Sequence, residues 1–217
     1  MYHVNHKFPL YLCMSVLLSI NFAADASLRC VLTGGPGVGK STTLAELSKR
    51  GYHTIQEVFT SLFKQAEKNN ALDAFFEDMT QLQTNLLLEQ LRLESLLPAT
   101  HTAFLDRSAE DIMAYNRYHN VPVEESLSKQ VRQYDIIFFL EPLPARFYQN
   151  SSVRKETPEE AMELHNLVKE AYRQRGYKNY QLIDVPFGTP SERAQFILDA
   201  LAHVERTYLL PQKCVHA

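Results

Sequence analysis

The sequence predicts an α/β fold, a three-layer sandwich in which helices cover both faces of a five-stranded parallel sheet. After residue 27, short apolar runs alternate with longer segments of helical periodicity, which is typical of parallel strands joined by crossover helices. A glycine-rich segment also lies directly between the first apolar run and the first helical segment. No repeat, low-complexity tract or linker divides this part, so residues 27–217 are expected to form one domain.

Five short apolar runs are the expected strands, because strands buried on both faces lack polar alternation. They are 28–33, 52–56, 102–106, 136–140 and 180–185. The helical segments are 40–50, 58–69, 73–97, 109–119, 124–133, 158–175 and 191–208. Segment 73–97 is expected to be one helix with its apolar stripe in the core, or alternatively a wall of a substrate pocket. Ser191 and Glu192, directly after Pro190, are a start signal for the last helix.

Charge and composition exclude some partners and sites. The formal net charge of −3 and the pI near 6.2 provide no basic field, so nucleic acid is not expected as a partner. Cys13, Cys30 and Cys214 are too few and too scattered for a disulfide framework or a zinc site. Cys30 lies inside the first apolar run and is expected to be a small buried hydrophobe. The histidines lack metal-ligand spacing, so no zinc is expected.

Residues 1–26 differ from the rest of the chain. An apolar run at 8–21 has the length of a signal peptide, and Ala24 and Ala26 match the small-x-small pattern of a cleavage site. The run is shorter than the about 20 residues that span a bilayer, so no stable span is expected in the mature chain. A leader cleaved near Ala26 predicts a secreted or periplasmic protein. The alternatives are an apolar segment packed on the domain, or a start codon set too far upstream, with Met14 as an internal candidate; a leader that is not cleaved leaves the protein cytoplasmic.

The segment after the first strand matches the phosphate-binding motif G-x-x-x-x-G-K-[ST] in full and in the required strand-loop-helix context. Backbone N–H groups of such a loop form an anion nest, and the following helix directs its positive end at the phosphates. Lys40 is expected to reach the β- and γ-phosphates, Ser41 to bind Mg²⁺ and Thr42 to contact the α-phosphate. The motif therefore predicts a P-loop NTPase. Its nucleotide-binding residues are Gly34, Gly35, Pro36, Gly37, Val38, Gly39, Lys40, Ser41 and Thr42.

Polar residues follow the second and third strands, at the sheet edge where parallel α/β proteins bind ligands. Glu57 is a candidate general base for a substrate hydroxyl, or alternatively a helix N-terminal carboxylate stabilised by the dipole. Asp106 is the second expected Mg²⁺ ligand, and Arg107 is expected to clamp the acceptor or the transferred phosphoryl group. Ser108 and Asp111 resemble a capping box, which is the structural alternative for this stretch.

A polar segment follows the fourth strand and carries Arg146, Arg154 and Lys155. Such a basic segment could close over the phosphates as a lid and stabilise the transition state, with Arg154 as its catalytic candidate. The alternative is a solvated loop. The loop at 184–190, after the fifth strand, is expected to form one wall of the pocket for the nucleotide base.

Several stretches together resemble a known family, and the resemblance covers nearly everything after residue 27. They are VLTGGPGVGKST, QEVFTSL, FLDRSAEDIMAYNRYHNVP, IFFLEPLP and FYQNSSVRKETPEEAMELHNLVKEAYRQRGY. The family is the small AAA-type P-loop domain shared by the nicotinamide riboside kinase module of bacterial NAD regulators and by predicted ATPases. The resemblance implies a kinase-like core that binds ATP with Mg²⁺, with Asp106, Arg107 and the lid shaping the acceptor site.

Two further likenesses refine this expectation. The Asp-Arg-Ser element is similar to that of deoxynucleoside and thymidylate kinases, whereas Ser41 and the absence of a D-G-[FY]-P-R run distinguish the chain from adenylate kinase. The family also contains an animal channel-trafficking protein whose domain serves as a GTP-binding module.

Two hypotheses follow. In the first, the protein is a small-molecule kinase: Glu57 or Asp106 orients a hydroxyl of a nucleoside-like acceptor, while Lys40, Arg107 and lid arginines neutralise the migrating phosphoryl group. Residues 69–97 and the lid would form the acceptor pocket. In the second, it is a nucleotide-binding switch or scaffold that hydrolyses slowly and acts through a protein partner. The chain lacks an N-K-x-D motif, which favours ATP over GTP.

Overall fold

The computed structural model describes residues 27–144, 156–176 and 180–209. Its strands are β1 Arg29–Thr33, β2 His53–Ile55, β3 Ala103–Asp106, β4 Ile136–Leu140 and β5 Gln181–Val185. Its helices are α1 Lys40–Lys49, α2 Val58–Lys68, α3 Leu72–Glu77, α4 Met79–Ser95, α5 Ala109–Tyr118, α6 Glu125–Ser128, α7 Pro158–Gln174 and α8 Pro190–Val204, which continues as a π-helical turn over Glu205–Leu209.

The five strands form one parallel sheet in the order β2-β3-β1-β4-β5. Strand β1 is central, with Val31 opposite Leu105 of β3 on one side and Ile137 of β4 on the other. The predicted five-stranded parallel sheet is therefore confirmed. Because β1 and β3 are neighbours, the segments that follow Thr33 and Asp106 leave the sheet side by side.

The core lies on both faces of the sheet, as three layers require. On one face, Cys30 and Leu32 pack with Leu44 of α1 and Ile197 of α8. On the other face, alternate residues of β1 and β4 pack with α5 and α7, among them Val31, Ile137, Phe139, Ala114, Val168 and Tyr172. Cys30 is fully buried in an apolar cluster, as its place in the first apolar run predicted.

The prediction of one helix over 73–97 was wrong. The backbone of Asp78 is extended, and its side chain caps α4 by accepting a hydrogen bond of 2.9 Å from the N–H of Gln81. A capping carboxylate offers the backbone an alternative to continuing α3, so the chain turns here. The apolar stripe is divided accordingly: Leu86 is buried, whereas Phe76 and Met79 are 43% and 39% exposed.

Differences in the bounds of two other helices have a clear local cause. The predicted helix over 124–133 is a single turn, α6, after which Gln130 and Val131 donate to carbonyls three residues back. Buried Leu127 and Val131 have helical spacing, but they pack from a tight turn rather than a continuous helix. The last helix begins one residue before the predicted position, at Pro190, because Thr189 and Glu192 form its capping box.

Some predictions concern residues outside the described ranges. These are the leader at 1–26, the lid residues Arg146, Arg154 and Lys155, and the termini that carry Cys13 and Cys214. They stay predictions. Within 27–144, 156–176 and 180–209, no helix combines the length and apolar character needed to cross a membrane.

Candidate active site

The predicted phosphate loop runs from β1 to the first turn of α1. Gly39 caps α1 in the left-handed region, with φ of 87°, a conformation that side chains other than glycine rarely adopt. The side chain of Lys40 is buried, and its Nζ donates to the carbonyl oxygens of Gly34 at 3.0 Å and Gly35 at 2.8 Å. The lysine therefore folds back over the loop whose phosphates it is expected to bind.

The electrostatic surroundings of Lys40 disfavour its charged form. Burial is the main cause and Arg107 adds to it, so the pKa of Lys40 is lowered to about 7 despite the opposing carboxylates of Asp106, Glu57 and Asp111. Phosphate groups in the loop would add anionic charge next to this lysine and would raise its pKa again.

Ser41 and Asp106 meet where β1 and β3 end. Ser41 Oγ donates to Asp106 Oδ2 at 2.6 Å, while Oδ1 of the same carboxylate is buried and accepts no hydrogen bond from the residues described. Burial raises the pKa of Asp106, Glu57 adds to the increase and Lys40 opposes it. A hydroxyl and a carboxylate with an unsatisfied oxygen are a donor set that suits Mg²⁺, which takes one or two carboxylates plus phosphate oxygens. The two residues predicted as metal ligands are therefore adjacent.

Glu57 and Arg107 form an ion pair between the ends of β2 and β3. Arg107 Nε lies 2.6 Å from Glu57 Oε1, and Thr60 Oγ1 donates to Glu57 Oε2 at 2.6 Å. Burial alone would raise the pKa of Glu57, but the charges of Arg107 and Lys40 and these hydrogen bonds lower it to about 2. Glu57 occupies the N-cap position of α2 in its backbone, yet its side chain makes no capping bond. Its place at the helix N-terminus agrees with the dipole alternative, and its side chain pairs with Arg107.

Asp111 belongs to the site although the sequence indicated only a helix cap. Its carboxylate accepts from Thr33 Oγ1 at 2.5 Å, from Tyr172 Oη at 2.5 Å and from the N–H of Ser108 at 3.0 Å. The capping box of α5 is therefore present, as the structural alternative proposed. The same carboxylate also lies 3.8 Å from Nη1 of Arg107, so it is part of that residue's surroundings as well.

A cavity of about 410 Å³ opens beside these groups. Its polar wall includes Ser41, Glu57, Thr60, Gln83, Arg107 and Asp111. Its apolar wall includes Phe59, Phe76, Met79, Leu82, Leu86, Ile112 and Tyr115. Both halves of the divided 73–97 stripe contribute to it, and the alternative that this stripe forms a wall of a substrate pocket stays a prediction. A larger groove of about 1040 Å³ between α2, α3 and α4 includes neither the phosphate loop nor the Glu57–Arg107 pair, and we do not regard it as the active site.

Three contributors were missed at the sequence level. Gln83 and Tyr115 lie in helical segments whose patterns indicated core or surface, and only the packing of α4 against α5 directs them to the cavity. Arg193 is buried and donates to the carbonyl oxygens of Val38, of Glu141 at 2.9 Å and of Pro186 at 3.1 Å. It thereby joins the phosphate loop to the segments after β4 and β5. No local motif marks such a residue.

The predicted site residues are thus brought together, with one exception. Lys40, Ser41, Glu57, Asp106 and Arg107 surround one end of the phosphate loop. Arg154 lies outside the described residues.

Solved structures of several kinases share this fold. Deoxyadenosine kinase from M. mycoides, with bound dATP, aligns with a TM-score of 0.53 and 20% identity, over 81% of this chain and 100% of that one. Thymidylate kinase from Ehrlichia chaffeensis aligns with a TM-score of 0.53 and 15% identity, over 81% and 99%. The NadR protein in complex with NR aligns with a TM-score of 0.60 and 18% identity, over 82% of this chain but only 49% of that one. At these identities the likeness shows the fold.

Sequence comparison identifies the family. No curated protein matches the chain significantly. A family model described as an AAA domain matches residues 29–193, which include the phosphate loop, every strand, Glu57 and the Asp106–Arg107 element. The chain therefore belongs to this AAA domain family and has the kinase-like P-loop fold that its sequence predicted.

Proposed function

We propose that the protein transfers the γ-phosphoryl group of ATP to a hydroxyl group of a small, nucleoside-like acceptor. The observation that carries this proposal is the cavity, which borders both Ser41 of the phosphate loop and the Glu57–Arg107 pair. Its volume of about 410 Å³ lies within the range of small-molecule sites, about 300–1,000 Å³. A kinase needs such a second pocket for its acceptor beside the phosphate loop.

Within this proposal, Lys40 changes partners when the nucleotide binds. In the structure its side-chain nitrogen donates to loop carbonyls, and its pKa is lowered mainly by burial and further by Arg107. Donation to the β- and γ-phosphates would give it anionic partners and stabilise charge that develops on the migrating group. Ser41 and Asp106 would hold Mg²⁺, which neutralises phosphate oxygens when it is bound.

The geometry favours Glu57 over Asp106 as the group that orients the acceptor hydroxyl. Glu57 lines the cavity, whereas Asp106 is buried beneath the loop against Ser41. With a pKa of about 2, Glu57 is anionic at neutral pH and can accept the hydrogen bond of a substrate hydroxyl. Its partner Arg107 would then donate to the transferred phosphoryl group, since a guanidinium remains protonated in every case. A lid that contains Arg154 stays part of the proposal.

The cavity walls suit a planar ring carried on a sugar. Phe59, Phe76 and Tyr115 offer aromatic faces, and Gln83 offers an amide that can both donate and accept. The one hydrogen bond described for the Gln83 side chain is a 3.9 Å contact from Nε2 to the sulfur of Met79, which is weak. A base or similar heterocycle would give this nearly buried amide stronger partners.

The structural neighbours support the same substrate class. Two of them are kinases of a deoxynucleoside and of a thymidylate, and NadR has been solved in complex with NAD and AMP-PNP as well as with NR. The AMP-PNP complex also supports ATP rather than GTP as donor, in agreement with the absence of an N-K-x-D motif.

The test is γ-phosphate consumption by the full chain with Mg²⁺-ATP and a panel of nucleosides that includes deoxyadenosine, thymidine and nicotinamide riboside. Lys40→Ala is assayed in parallel. Turnover that rises with one acceptor and disappears in the variant would support a kinase and identify its acceptor. Tight nucleotide binding without acceptor-stimulated turnover would refute the kinase proposal and favour the switch or scaffold hypothesis.

A further inference from the structure

His165, on helix α7, contacts the phosphate loop although 130 positions separate it from Gly35. Its Nδ1 lies 3.2 Å from the backbone nitrogen of Gly35, in hydrogen-bond geometry, and both groups are buried. The N–H must be the donor, so the imidazole is neutral and carries its proton on Nε2. Burial is the main reason why the pKa of His165 is lowered to about 4, and nearby Lys169 and Lys40 add to the decrease. The ring is therefore an acceptor throughout the physiological range.

The peptide bond between Gly34 and Gly35 is bound at both ends. Because a trans peptide directs its C=O and N–H to opposite sides, the oxygen of Gly34 and the N–H of Gly35 face away from each other. Lys40 Nζ donates to that oxygen at 3.0 Å, and His165 accepts from that N–H. The histidine thus fixes the plane of the peptide whose other end contacts the phosphate-binding lysine.

Helix α7 approaches this peptide too closely for any side chain at position 35. A Cβ atom on Gly35 would lie 2.7 Å from the carbonyl oxygen of Ala161 and 2.8 Å from Cβ of His165, both shorter than real contacts. The His165 ring is in turn fixed by an edge-to-face contact with Phe139, at 4.6 Å between centroids. The contact between α7 and the loop therefore combines three features: the close approach of the helix backbone to Gly35, the hydrogen bond to His165 and the packing of its ring on Phe139.

We propose that His165 is a positioning residue of the nucleotide site, which holds the Gly34–Gly35 peptide in the orientation that Lys40 and the phosphates require. When Lys40 turns towards a phosphate, the Gly34 oxygen loses a donor, and the bond to His165 keeps this peptide from rotating. The inference rests on the nucleotide half of the proposed function. It does not depend on the identity of the acceptor, or on the occurrence of phosphoryl transfer.

Binding of Mg²⁺-AMP-PNP to the full chain, measured by calorimetry, tests the proposal. His165→Leu keeps the approximate volume but removes the acceptor and leaves a buried N–H unpaired, so we expect affinity to fall about tenfold. His165→Asn places an amide oxygen near the position of Nδ1 and is expected to bind within about threefold of the parent chain. Val168→Ala, on the same helix and in the core on this face of the sheet, controls for general loosening of α7. It should lower the melting temperature without changing the affinity.

Three results would overturn the proposal: unchanged affinity in His165→Leu, an equal loss in His165→Asn and His165→Leu, or an equal loss in Val168→Ala. If His165→Leu does not fold, Gly35→Ala tests the same contact by changing the loop residue instead of the histidine. The φ of Gly35 is not positive, so alanine there conflicts only with α7, and unchanged affinity in that variant would also refute the idea. Failure of the acceptor panel with these affinities as expected would refute the kinase proposal and leave the role of His165 intact.

Discussion

Arg107 Nε lies 2.6 Å from Glu57 Oε1, and this pair joins the ends of two strands in the wall of the cavity. Arg107 adopts a left-handed backbone conformation, with φ of 68°, which costs a residue other than glycine roughly 1–2 kcal/mol. Its guanidinium also lies 4.7 Å from the ring centroid of Tyr115. Ion pair, ring contact and strained backbone together place a permanent charge beside the loop, as sites of phosphoryl transfer need.

Glu57→Gln tests the assignment of the hydroxyl-orienting group. The variant keeps the shape of the side chain but loses the charge that orients the hydroxyl and pairs with Arg107, so we expect kcat to fall about 10²-fold, the usual cost of misplacing a reacting group. Affinity for AMP-PNP should change by less than about threefold, because Glu57 faces the acceptor. Steady-state kinetics and calorimetry measure the two effects. If the variant keeps full kcat and only its KM for the acceptor rises, Glu57 helps to bind the acceptor but does not orient the reacting hydroxyl.

Asp106→Asn tests the metal site. In the parent chain, Mg²⁺ should strengthen the binding of AMP-PNP, because the ion links the nucleotide to Ser41 and Asp106. An amide is a weaker ligand for a hard cation than a carboxylate, so the variant should lose most of that gain while its affinity in EDTA stays close to that of the parent chain. Titrations with and without Mg²⁺ measure the difference. An equal Mg²⁺ effect in both proteins would place the ion elsewhere.

Lys40 should take up a proton when nucleotide binds at alkaline pH. Its lowered pKa of about 7 leaves it mostly neutral at pH 8 in the free protein, and phosphates raise that pKa in the complex. At pH 6 the lysine is already charged, so this uptake should disappear. Calorimetry at each pH, in two buffers with different ionisation enthalpies, gives the number of protons. Lys40→Arg is the control, because a guanidinium stays charged; equal uptake by this variant would assign the proton to another group.

Much of the fold and part of the site could be predicted from the sequence, because those features are local. The phosphate loop is contiguous, and parallel topology alone brings Glu57 and Asp106 to the same edge. The pairing of Glu57 with Arg107 is different in kind, because it joins residues 50 positions apart and depends on side-chain geometry.

The errors share a physical cause, which is competition between local and tertiary interactions. Asp78 ends one helix and begins another inside a continuous amphipathic pattern, because a side-chain cap competes with one more helical turn. Asp111 was interpreted as part of a helix cap, and the spacing of the histidines assigned no role to His165; only the packing of α5 and α7 brings their polar atoms to the site. Periodicity cannot distinguish such residues from their neighbours.

Tyr172→Phe tests the stabilising role of the buried Asp111 carboxylate. The hydroxyl of Tyr172 donates to Asp111 Oδ2 at 2.5 Å, and its removal leaves a buried anion with one donor fewer. We expect the free energy of unfolding to fall by about 1–3 kcal/mol. Thr33→Val removes the donor to the other oxygen, and because both donors share one carboxylate, the double variant should deviate from additivity. Urea unfolding measures all four proteins. Additive losses would indicate that the two hydrogen bonds act independently.

Gln83→Leu tests whether the amide in the cavity wall recognises the acceptor. The substitution preserves approximate size in a nearly buried position and removes both the donor and the acceptor atoms of the side chain. If a heterocycle bonds to this amide, KM for the acceptor should rise about tenfold or more, because a polar group of the substrate is left unpaired. KM for ATP should change far less, since Gln83 lies on α4 whereas the phosphate loop joins β1 to α1. Leu82→Met, which alters an apolar side chain in the same wall, is the matched control and should shift KM far less. An unchanged KM for the acceptor in Gln83→Leu would mean that the acceptor is bound by shape and by the Glu57–Arg107 pair alone.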